Sequence, residues 1–383
     1  MDDKILRSMK PLLIIENCFG LFRYRIAGMD RSIEIRIQKI STSISFIWIT
    51  NFIIFCLIPA INKGIKRPEI LLEELPWQII TLQYAATLLI VLLQENKCQK
   101  IIGLLSEVDI WLHASYVENI YRISFKKALY LFIIFVSFCI TISIMDFFTD
   151  NGNWYENFLY LMIYFERKIE IITFLHTLFM FRQRLLLIEN RLIEIFNRQL
   201  SNRHRNMKIT KFHGSNKVDG TIITNNITGL ASSYKNIGEA CHILNSSYNF
   251  LISTTPVSAF IFIISTFWAS ISCFKRNSNI KSLIKIIIWS FSELITIIIL
   301  SLYCEKLLTA RKKIKSILYN ILNCDNISKN MQHQAKAFIE LVDIWPLSIY
   351  GYDMYQINFK LLLNFVAVST SFLIIIIQIN DFI

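Results

Sequence analysis

The sequence predicts an all-α membrane protein with seven transmembrane helices, and three observations lead to that fold class. Hydrophobic residues make up 54% of the 383-residue chain and charged residues only 18%, with a mean hydropathy of +0.46. A soluble domain is about 45–50% apolar and about 25% charged. Seven apolar segments are long enough to cross a bilayer, for which a helix needs about 20 residues. Lys and Arg fall mostly into alternate loops.

The seven predicted spans differ in how clearly they are marked. The second is short and contains Gln78 and Gln83, and the fourth carries four charged residues between positions 166 and 170. Long apolar stretches flank that charged group, so the segment is retained as a span. The predicted spans are Ser43–Ile61, Leu75–Leu93, Ala128–Phe148, Phe158–Phe181, Phe250–Ser272, Ile284–Tyr303 and Phe359–Ile379.

The orientation follows from Lys and Arg, which are enriched in cytoplasmic loops. Thirty of the 40 lie in the N-terminal segment and in the loops after the second, fourth and sixth spans, whereas six lie in the opposite loops. The N-terminus is therefore predicted to be cytoplasmic and the C-terminus extracellular, opposite to G-protein-coupled receptors. Glycosylation sequons at Asn226, Asn245 and Asn326 fall on the predicted inner side, and a sugar on any of them would contradict this orientation.

Helices four to six are predicted to extend into the cytoplasm. Arg182–Leu200, Tyr234–Asn249 and Lys306–Asn323 have helical character and continue those spans without a clear break. The polar stretch 201–228 contains Gly214 and Gly220 and is predicted to be a flexible loop. Extensions with apolar faces need partners, either one another or neighbouring subunits.

Several function classes find no support in the sequence. The basic residues, although the net charge is +12, are spread between apolar blocks, and no nucleic-acid-binding signature occurs. The eight cysteines have no C-x-x-C spacing, and the six histidines have no metal-ligand spacing. Catalytic motifs are also missing. We therefore expect no enzyme, no catalytic or metal site, no cofactor, no nucleic-acid partner and no disulfide framework. We also expect no cleavable signal peptide, because the apolar patch near the start is short and interrupted.

Charged residues at membrane depth are costly and mark functional positions by default. On the predicted topology they lie in the outer half of the bilayer, where a polar, aromatic-lined pocket would suit a small polar or amphipathic ligand. Internal pairing, such as Arg167 with Glu170, or snorkelling is the alternative, and both interpretations stay open here. The candidate ligand-binding residues are Gln83, Tyr84, Asp146, Glu166, Arg167, Glu170, Trp268, Trp289 and Glu293, with Lys168, Ser143 and Ser265 nearby.

The last span has a polar step near mid-membrane, at Ser369, Thr370 and Ser371. Helical periodicity places Ser371, Ile374, Ile375 and Gln378 on one face. That face could line a pore with a hydrophobic constriction, which would require an oligomer because one helix cannot enclose a pore. A helix packed in lipid with small residues at a helix contact is the alternative.

The last forty residues resemble the ending of insect gustatory receptors, in which T-Y, five apolar residues and Q-F follow one another. This chain has Ser371-Phe372, then Leu373–Ile377, then Gln378-Ile379, so the spacing and Gln378 match while the other three are similar substitutions. Upstream, the family's glycine between aromatics, polar turn and L-L step correspond to Tyr350-Gly351-Tyr352, Gln356–Asn358 and Leu361-Leu362. The stretch LLLIENRLIEIF, which contains Asn190, and the His242–Asn245 region also resemble the family pattern.

The resemblance implies a ligand-gated, non-selective cation channel in the plasma membrane of a sensory dendrite, assembled as a homotetramer or as a heteromer with other gustatory receptors. A small-molecule tastant would bind in the outer pocket near Arg167, Glu293, Trp289 and Trp268. Its binding would widen the constriction between Ile375 and Gln378. Whether that tastant is a sugar, a bitter compound or another molecule stays open, as does ion selectivity.

The same resemblance divides the chain into four parts. These are a cytoplasmic N-terminal segment (1–42), a six-helix membrane domain with the ligand pocket (43–303), a cytoplasmic anchor segment (304–358) and the pore-lining last helix with a short extracellular tail (359–383). An odorant-receptor-type channel subunit is the nearest alternative. A metabotropic seven-helix receptor or a secondary transporter is a more distant one; no inverted repeat typical of transporters is seen.

Overall fold

Long helices dominate the fold, which was obtained as a computed structural model. The structure describes residues 2–21, 23–24, 31–54, 58, 68–93, 97–112, 114–149, 154–208, 217–276, 280–325 and 327–381. The helices are α1 (Asp2–Cys18), α2 (Arg31–Phe52), α3 (Pro68–Leu93), α4 (Lys97–Trp111), α5 (Ala114–Thr149), α6 (Trp154–Lys208), α7 (Lys217–Arg276), α8 (Ile280–Leu322), α9 (Lys329–Ile344) and α10 (Phe359–Asp381). The strands β1 (Tyr350–Gly351) and β2 (Tyr355–Gln356) form an antiparallel hairpin between α9 and α10.

Each predicted span falls on helix wherever its residues are described. The first lies at the end of α2, and the others lie on α3, α5, α6, α7, α8 and α10 in chain order. Four helical segments of the described part are long and apolar enough to cross a membrane: Phe158–Gln199, Ile227–Ile271, Ile286–Leu322 and Phe359–Gln378. The predicted inward extensions of α6, α7 and α8 are also continuous helix, because apolar residues recur at helical spacing through them.

The predicted flexible loop at 201–228 is wrong over most of its length. The structure continues α6 as helix to Lys208 and begins α7 at Lys217, so that only residues 209–216 lie outside the described part. The glycines misled the prediction, since a single glycine costs a helix only about 1 kcal/mol relative to alanine and is often tolerated. Gly220 is therefore helical, as are the asparagines that follow it.

The N-terminal segment is not a free cytoplasmic arm. Its helix α1 packs against α5, α6 and α4 through a stripe of fully or nearly fully buried residues, namely Ile5, Leu6, Met9, Leu12 and Leu13. Their spacing places them on one face of a helix. In the same way, α4 buries Ile101, Ile102, Leu105 and Val108 against α7. The sequence analysis did not predict either short helix.

Two large apolar clusters hold most of the buried apolar side chains of the described residues, and a third, small one contains Phe135 and Ile169. The largest joins the inner parts of α6, α7 and α8 with α1, α4 and α9, and includes Phe181, Ile237 and Phe338. The second joins α3, α6, α7 and α8 on the predicted outer side, and includes Tyr84 and Trp289. The inner extensions therefore find their apolar partners within the chain.

The segment that precedes α10 consists of a capped helix and a tight hairpin turn. Ser328 is the N-cap of α9, and its hydroxyl accepts a hydrogen bond from the backbone N–H of Met331. In the hairpin turn, Tyr352 and Asp353 have positive φ angles of 47° and 57°, and the N–H of Met354 bonds to the carbonyl of Gly351. This backbone is unusual for residues other than glycine and persists where the surroundings hold it.

Candidate ligand site and last helix

The fourth span buries its charged residues completely. Glu166, Arg167, Lys168 and Glu170 of α6 are each at most 5% exposed. An uncompensated charge at such a position would cost several kcal/mol, so each group needs a partner. The partners come from α8, α7 and the segment after α1.

Glu293 of α8 lies between two cations of α6. Its carboxylate is 3.1 Å from Nη1 of Arg167 and 2.8 Å from Nζ of Lys168. Arg167 also donates to the hydroxyl of Ser258 on α7, and Lys168 donates to that of Thr296 on α8. These contacts join three membrane helices at one buried point.

Glu170 pairs with Arg23 and not with Arg167. The Arg23 guanidinium contacts the Glu170 carboxylate, donates to the carbonyl of Ser247 at 2.8 Å, and lies 4.1 Å from the centroid of the Tyr248 ring. Glu16 of α1 and Glu166 lie close enough to interact electrostatically with Arg23. Arg167 and Glu170 therefore do not pair with each other as suggested, and each forms an ion pair with a residue far away in the sequence. Arg23 and Glu16 were not among the predicted site residues, because local spacing carries no information about a partner more than 140 residues away.

Five aromatic rings pack beside the Glu293 pairs on the predicted outer side. The Trp77 ring lies 4.8 Å from Tyr160, 5.7 Å from Phe262 and 4.9 Å from Trp289, and Tyr164 lies 4.3 Å from Trp289 (centroid distances). The hydroxyls of Tyr164 and Ser292 are hydrogen-bonded at 2.6 Å. A weak signal for two of the missed rings existed in the sequence, since Tyr160 and Tyr164 lie eight and four residues before Lys168 on one helix face.

The other candidate ligand residues fall at different places around this region. Tyr84 shares the outer apolar cluster with Trp289, but its hydroxyl donates to the carbonyl of Phe19. The Gln83 amide donates to the carbonyl of Thr254 at 3.0 Å. Within the described part of the chain, Trp268 forms no hydrogen bond and no ring contact with the other candidate residues. The side chain of Asp146 lies outside the described residues, as does that of Ser143.

Several buried polar atoms in this region are left without a hydrogen-bond partner among the described residues. Among the candidate ligand residues they include Oε1 of Gln83, Oε1 of Glu166, and the indole nitrogens of Trp268 and Trp289, and Gln78 and Glu16 carry such atoms as well. Buried polar atoms are nearly always satisfied, so such exceptions need an explanation. An incoming polar molecule could satisfy the atoms of the candidate ligand residues.

The last helix is exposed along the face predicted to line a pore. Ile374 and Ile375 are 51% and 47% exposed, and Ser371 and Gln378 are also exposed. On the opposite face Ser369 is buried, and Leu373 and Ile376 are half-buried. Two serines of the polar step therefore lie on different faces of α10, because Ser369 faces the rest of the chain and Ser371 faces away from it.

Two motifs of the resemblance, the His242–Asn245 region and Tyr350-Gly351-Tyr352, are in direct contact. Asn245 accepts a hydrogen bond from the backbone N–H of Tyr350 at 3.1 Å, and Asn249 accepts one from Tyr352 at 2.6 Å. Gly351 lies so close to Tyr355 and Ser253 that an added Cβ would meet them at 2.7 and 2.9 Å. The glycine between aromatics is thus required by close packing of the hairpin on α7.

Helices of this length and apolarity, buried charges at membrane depth and an exposed last helix define a multi-pass membrane protein with a receptor-like core. The family model described as 7tm chemosensory receptor matches residues 9–381. The chain belongs to this family, and it is a chemosensory receptor and not an enzyme.

Solved structures share the fold. The chain is similar to the insect olfactory receptor OR5 from Machilis hrabei, with a TM-score of 0.68 and 14% identity over 99% of this chain and 100% of that chain. The same receptor in complex with eugenol gives a TM-score of 0.67 and 15% identity over the same shares. The all-α, seven-helix fold class is thereby confirmed. No curated protein sequence matches the chain.

Proposed function

We propose that the chain is a subunit of a ligand-gated, non-selective cation channel that a small-molecule tastant opens at the plasma membrane. The observation that carries the proposal is the exposed face of α10, on which Ser371, Ile374, Ile375 and Gln378 lie. A purely lipid-facing helix has no need of Gln378, since an exposed amide in hydrocarbon is costly, whereas the hydroxyl of Ser371 is satisfied by the carbonyl of Ala367. Such a face suits a pore wall shared between copies of α10 in a homotetramer or heteromer.

In this proposal the four parts of the chain act together. Residues 359–383 form the pore wall and outer tail, and residues 304–358 form a cytoplasmic anchor with the inner extensions of α6 to α8. The tastant binds on the predicted outer side beside Glu293 and the aromatic rings. Its differential affinity for the open state shifts the population toward it.

Whole-cell recording of the expressed receptor tests the pore assignment. Ile375→Ala and Gln378→Ala should change unitary conductance or the Na⁺/K⁺/Ca²⁺ permeability ratios, because both side chains would face the ions. Leu373→Ala, on the half-buried face of the same helix, is the matched control and should leave permeability unchanged. Variants at 375 and 378 that open normally with unaltered conductance and selectivity would exclude α10 as the pore wall.

An odorant-opened channel is the second candidate, because the fold is similar to that of an olfactory receptor. Calcium imaging with a panel of sugars, bitter compounds, amino acids and volatile odorants separates the two candidates by which class evokes a response. Currents in excised patches without nucleotide distinguish either channel from a metabotropic receptor.

A further inference from the structure

A groove between α1 and α5 combines basic side chains with an apolar floor, and it is separate from the ligand region. It encloses about 380 Å³. Lys4, Arg7 and Arg122 line it together with Tyr121 and Phe125. Helical spacing explains the arrangement, since positions 4 and 7 share one face of α1 and positions 118, 121, 122 and 125 share one face of α5.

Of the described residues, three basic side chains and only one acidic side chain line the groove. Its one carboxylate, Glu118, lies 3.9 Å from Lys4. Within the described part of the chain, neither Arg7 nor Arg122 forms an ion pair. Guanidinium groups favour phosphate because their donors match its oxygens in a two-pronged geometry.

The depth of the groove matches a lipid headgroup. Arg122 lies six residues before Ala128, where the predicted third span begins, and that is about 9 Å along a helix. The headgroup layer extends about 5–8 Å beyond the hydrocarbon on each side, which an arginine side chain covers easily.

An apolar track leads from the groove toward the predicted bilayer. Phe125, Leu129 and Ile133 follow one another at four-residue spacing on α5 and are 39%, 38% and 55% exposed. A headgroup at the arginines would leave an acyl chain lying along these side chains. The combination of a basic rim and a continuous apolar track fits an amphiphile better than a free anion.

We propose that this groove binds an anionic phospholipid of the predicted cytoplasmic leaflet, with its phosphate between Arg7 and Arg122 and an acyl chain along Phe125, Leu129 and Ile133. That leaflet is negatively charged and attracts basic segments close to the membrane. The groove also borders Tyr121, whose hydroxyl donates to Asp109, and Asp109 in turn pairs with Arg184 of α6 at 2.7 Å. Occupancy therefore stabilises the packing of α1, α4, α5 and α6. The proposal does not depend on the channel or its tastant.

Native mass spectrometry of the purified full-length chain, titrated with phosphatidylinositol bisphosphate or phosphatidylcholine, tests the site. The wild type should bind the anionic lipid at least tenfold more tightly. R7Q/R122Q should weaken that binding about 25-fold, since each variant side chain loses a direct contact with the phosphate and one such ion pair contributes up to about fivefold. K10Q/K126Q is the matched control, because Lys10 and Lys126 are exposed on the same two helices but do not line the groove, so a single bound lipid does not contact them and the affinity of this variant should stay within about twofold of the wild type.

Three results would overturn the proposal. An equal loss of lipid affinity in both double variants would indicate an effect of general surface charge, and equal affinities for the two lipids would show no preference for the anionic one. Full displacement of the bound lipid by an equal concentration of soluble inositol trisphosphate would indicate a site for free phosphate. Matching melting temperatures of the variants and the wild type exclude a folding effect. If R7Q/R122Q is unstable, the single variant R122Q, expected to bind about fivefold more weakly, decides the question.

Discussion

At the scale of single residues, Glu293 is the carboxylate on which two buried cations of α6 depend. It is fully buried and forms ion pairs with both Arg167 and Lys168. Removing charges from water costs several kcal/mol for each ion, and close pairing recovers that cost only when the partners stay in place. The side chains of Ser258 and Thr296 complete the arrangement by accepting hydrogen bonds from the two cations.

Glu293→Gln should therefore destabilise the protein strongly. The substitution leaves two buried cations without a counter-charge, which costs about 3–5 kcal/mol. Thermal unfolding in detergent and surface expression in cells would both report the loss. Glu305→Gln on the same helix is the control, because Glu305 is half-buried and 3.9 Å from Lys312, and such a pair contributes only about 0–1 kcal/mol. Comparable melting temperatures for the two variants would contradict this reasoning.

A second residue-scale prediction concerns Trp289, and it rests on the proposed tastant site. Trp289→Phe keeps an aromatic ring beside Tyr164 but removes the unpaired indole N–H. If that N–H donates to the tastant, the half-activating concentration should rise about fivefold to tenfold, the value of one neutral hydrogen bond. Trp111→Phe, at an exposed position on α4, should leave it unchanged, and dose–response curves by calcium imaging measure both. An unaltered curve for Trp289→Phe would remove that N–H from ligand binding.

At the scale of secondary-structure elements, the hairpin and α7 form one unit. Two asparagine side chains of α7 hold the backbone of β1 and its turn, and the hydroxyl of Tyr355 donates to the carbonyl of Ser253 at 3.1 Å. The hairpin is too short to be stable alone. Its conformation, including two positive φ angles, is therefore maintained by α7.

Gly351→Ala tests this unit. An added Cβ would meet Tyr355 and Ser253 at distances that real side chains do not tolerate, so we expect destabilisation of about 1–3 kcal/mol. Gly103→Ala on α4 is the matched control, because nothing lies within 4 Å of its added Cβ and alanine favours helix by about 1 kcal/mol. Melting temperatures should move in opposite directions, and a shift of the same sign in both would show that packing at Gly351 is not limiting.

The sequence predicted the elements that depend on local pattern and missed those that depend on tertiary contacts. The spans and inner extensions are long, periodic apolar segments, and periodicity is visible in one sequence. Helix α1 has only a narrow apolar stripe interrupted by Lys10 and Pro11, so its burial becomes apparent only once α5 and α6 are present. The charges of α6 were found as a group because each is anomalous in an apolar run. Their partners, above all Arg23, are set by packing between distant segments.

At the scale of the whole molecule, three helices meet at a cationic junction on the predicted inner boundary. Nζ of Lys127 on α5 lies 3.6 Å from the ring centroid of Phe179 on α6 and 4.8 Å from that of Tyr303 on α8. Burial lowers the pKa of Lys127 to about 8, and the positive charges of Lys306 and Arg182 act in the same direction. The junction thus packs an amine among aromatic rings and like charges.

The stability of this junction should increase with pH. The ordinary pKa of lysine is about 10.4, so between about pH 8 and 10.4 the unfolded chain binds more protons at this position than the folded protein does. The free energy of unfolding should therefore rise with pH across that window, and Lys127→Met should flatten the rise. Lys126→Met, at the exposed neighbouring position, should keep the wild-type profile. Chemical denaturation in detergent at several pH values measures both, and identical profiles for the two variants would refute the assignment.

The single helix α7 contacts both the buried charges and the hairpin, and Pro256 divides it between them. Ser258, which binds Arg167, lies just beyond the proline, and Asn249, which holds the hairpin, lies two turns before it. A proline inside a helix removes one backbone hydrogen bond and lowers the resistance to bending at that point. The helix α7 therefore bends more easily at Pro256 than elsewhere along its length. A tilt of the part of α7 beyond Pro256 would therefore be absorbed partly by bending at the proline before it reached the hairpin and α10.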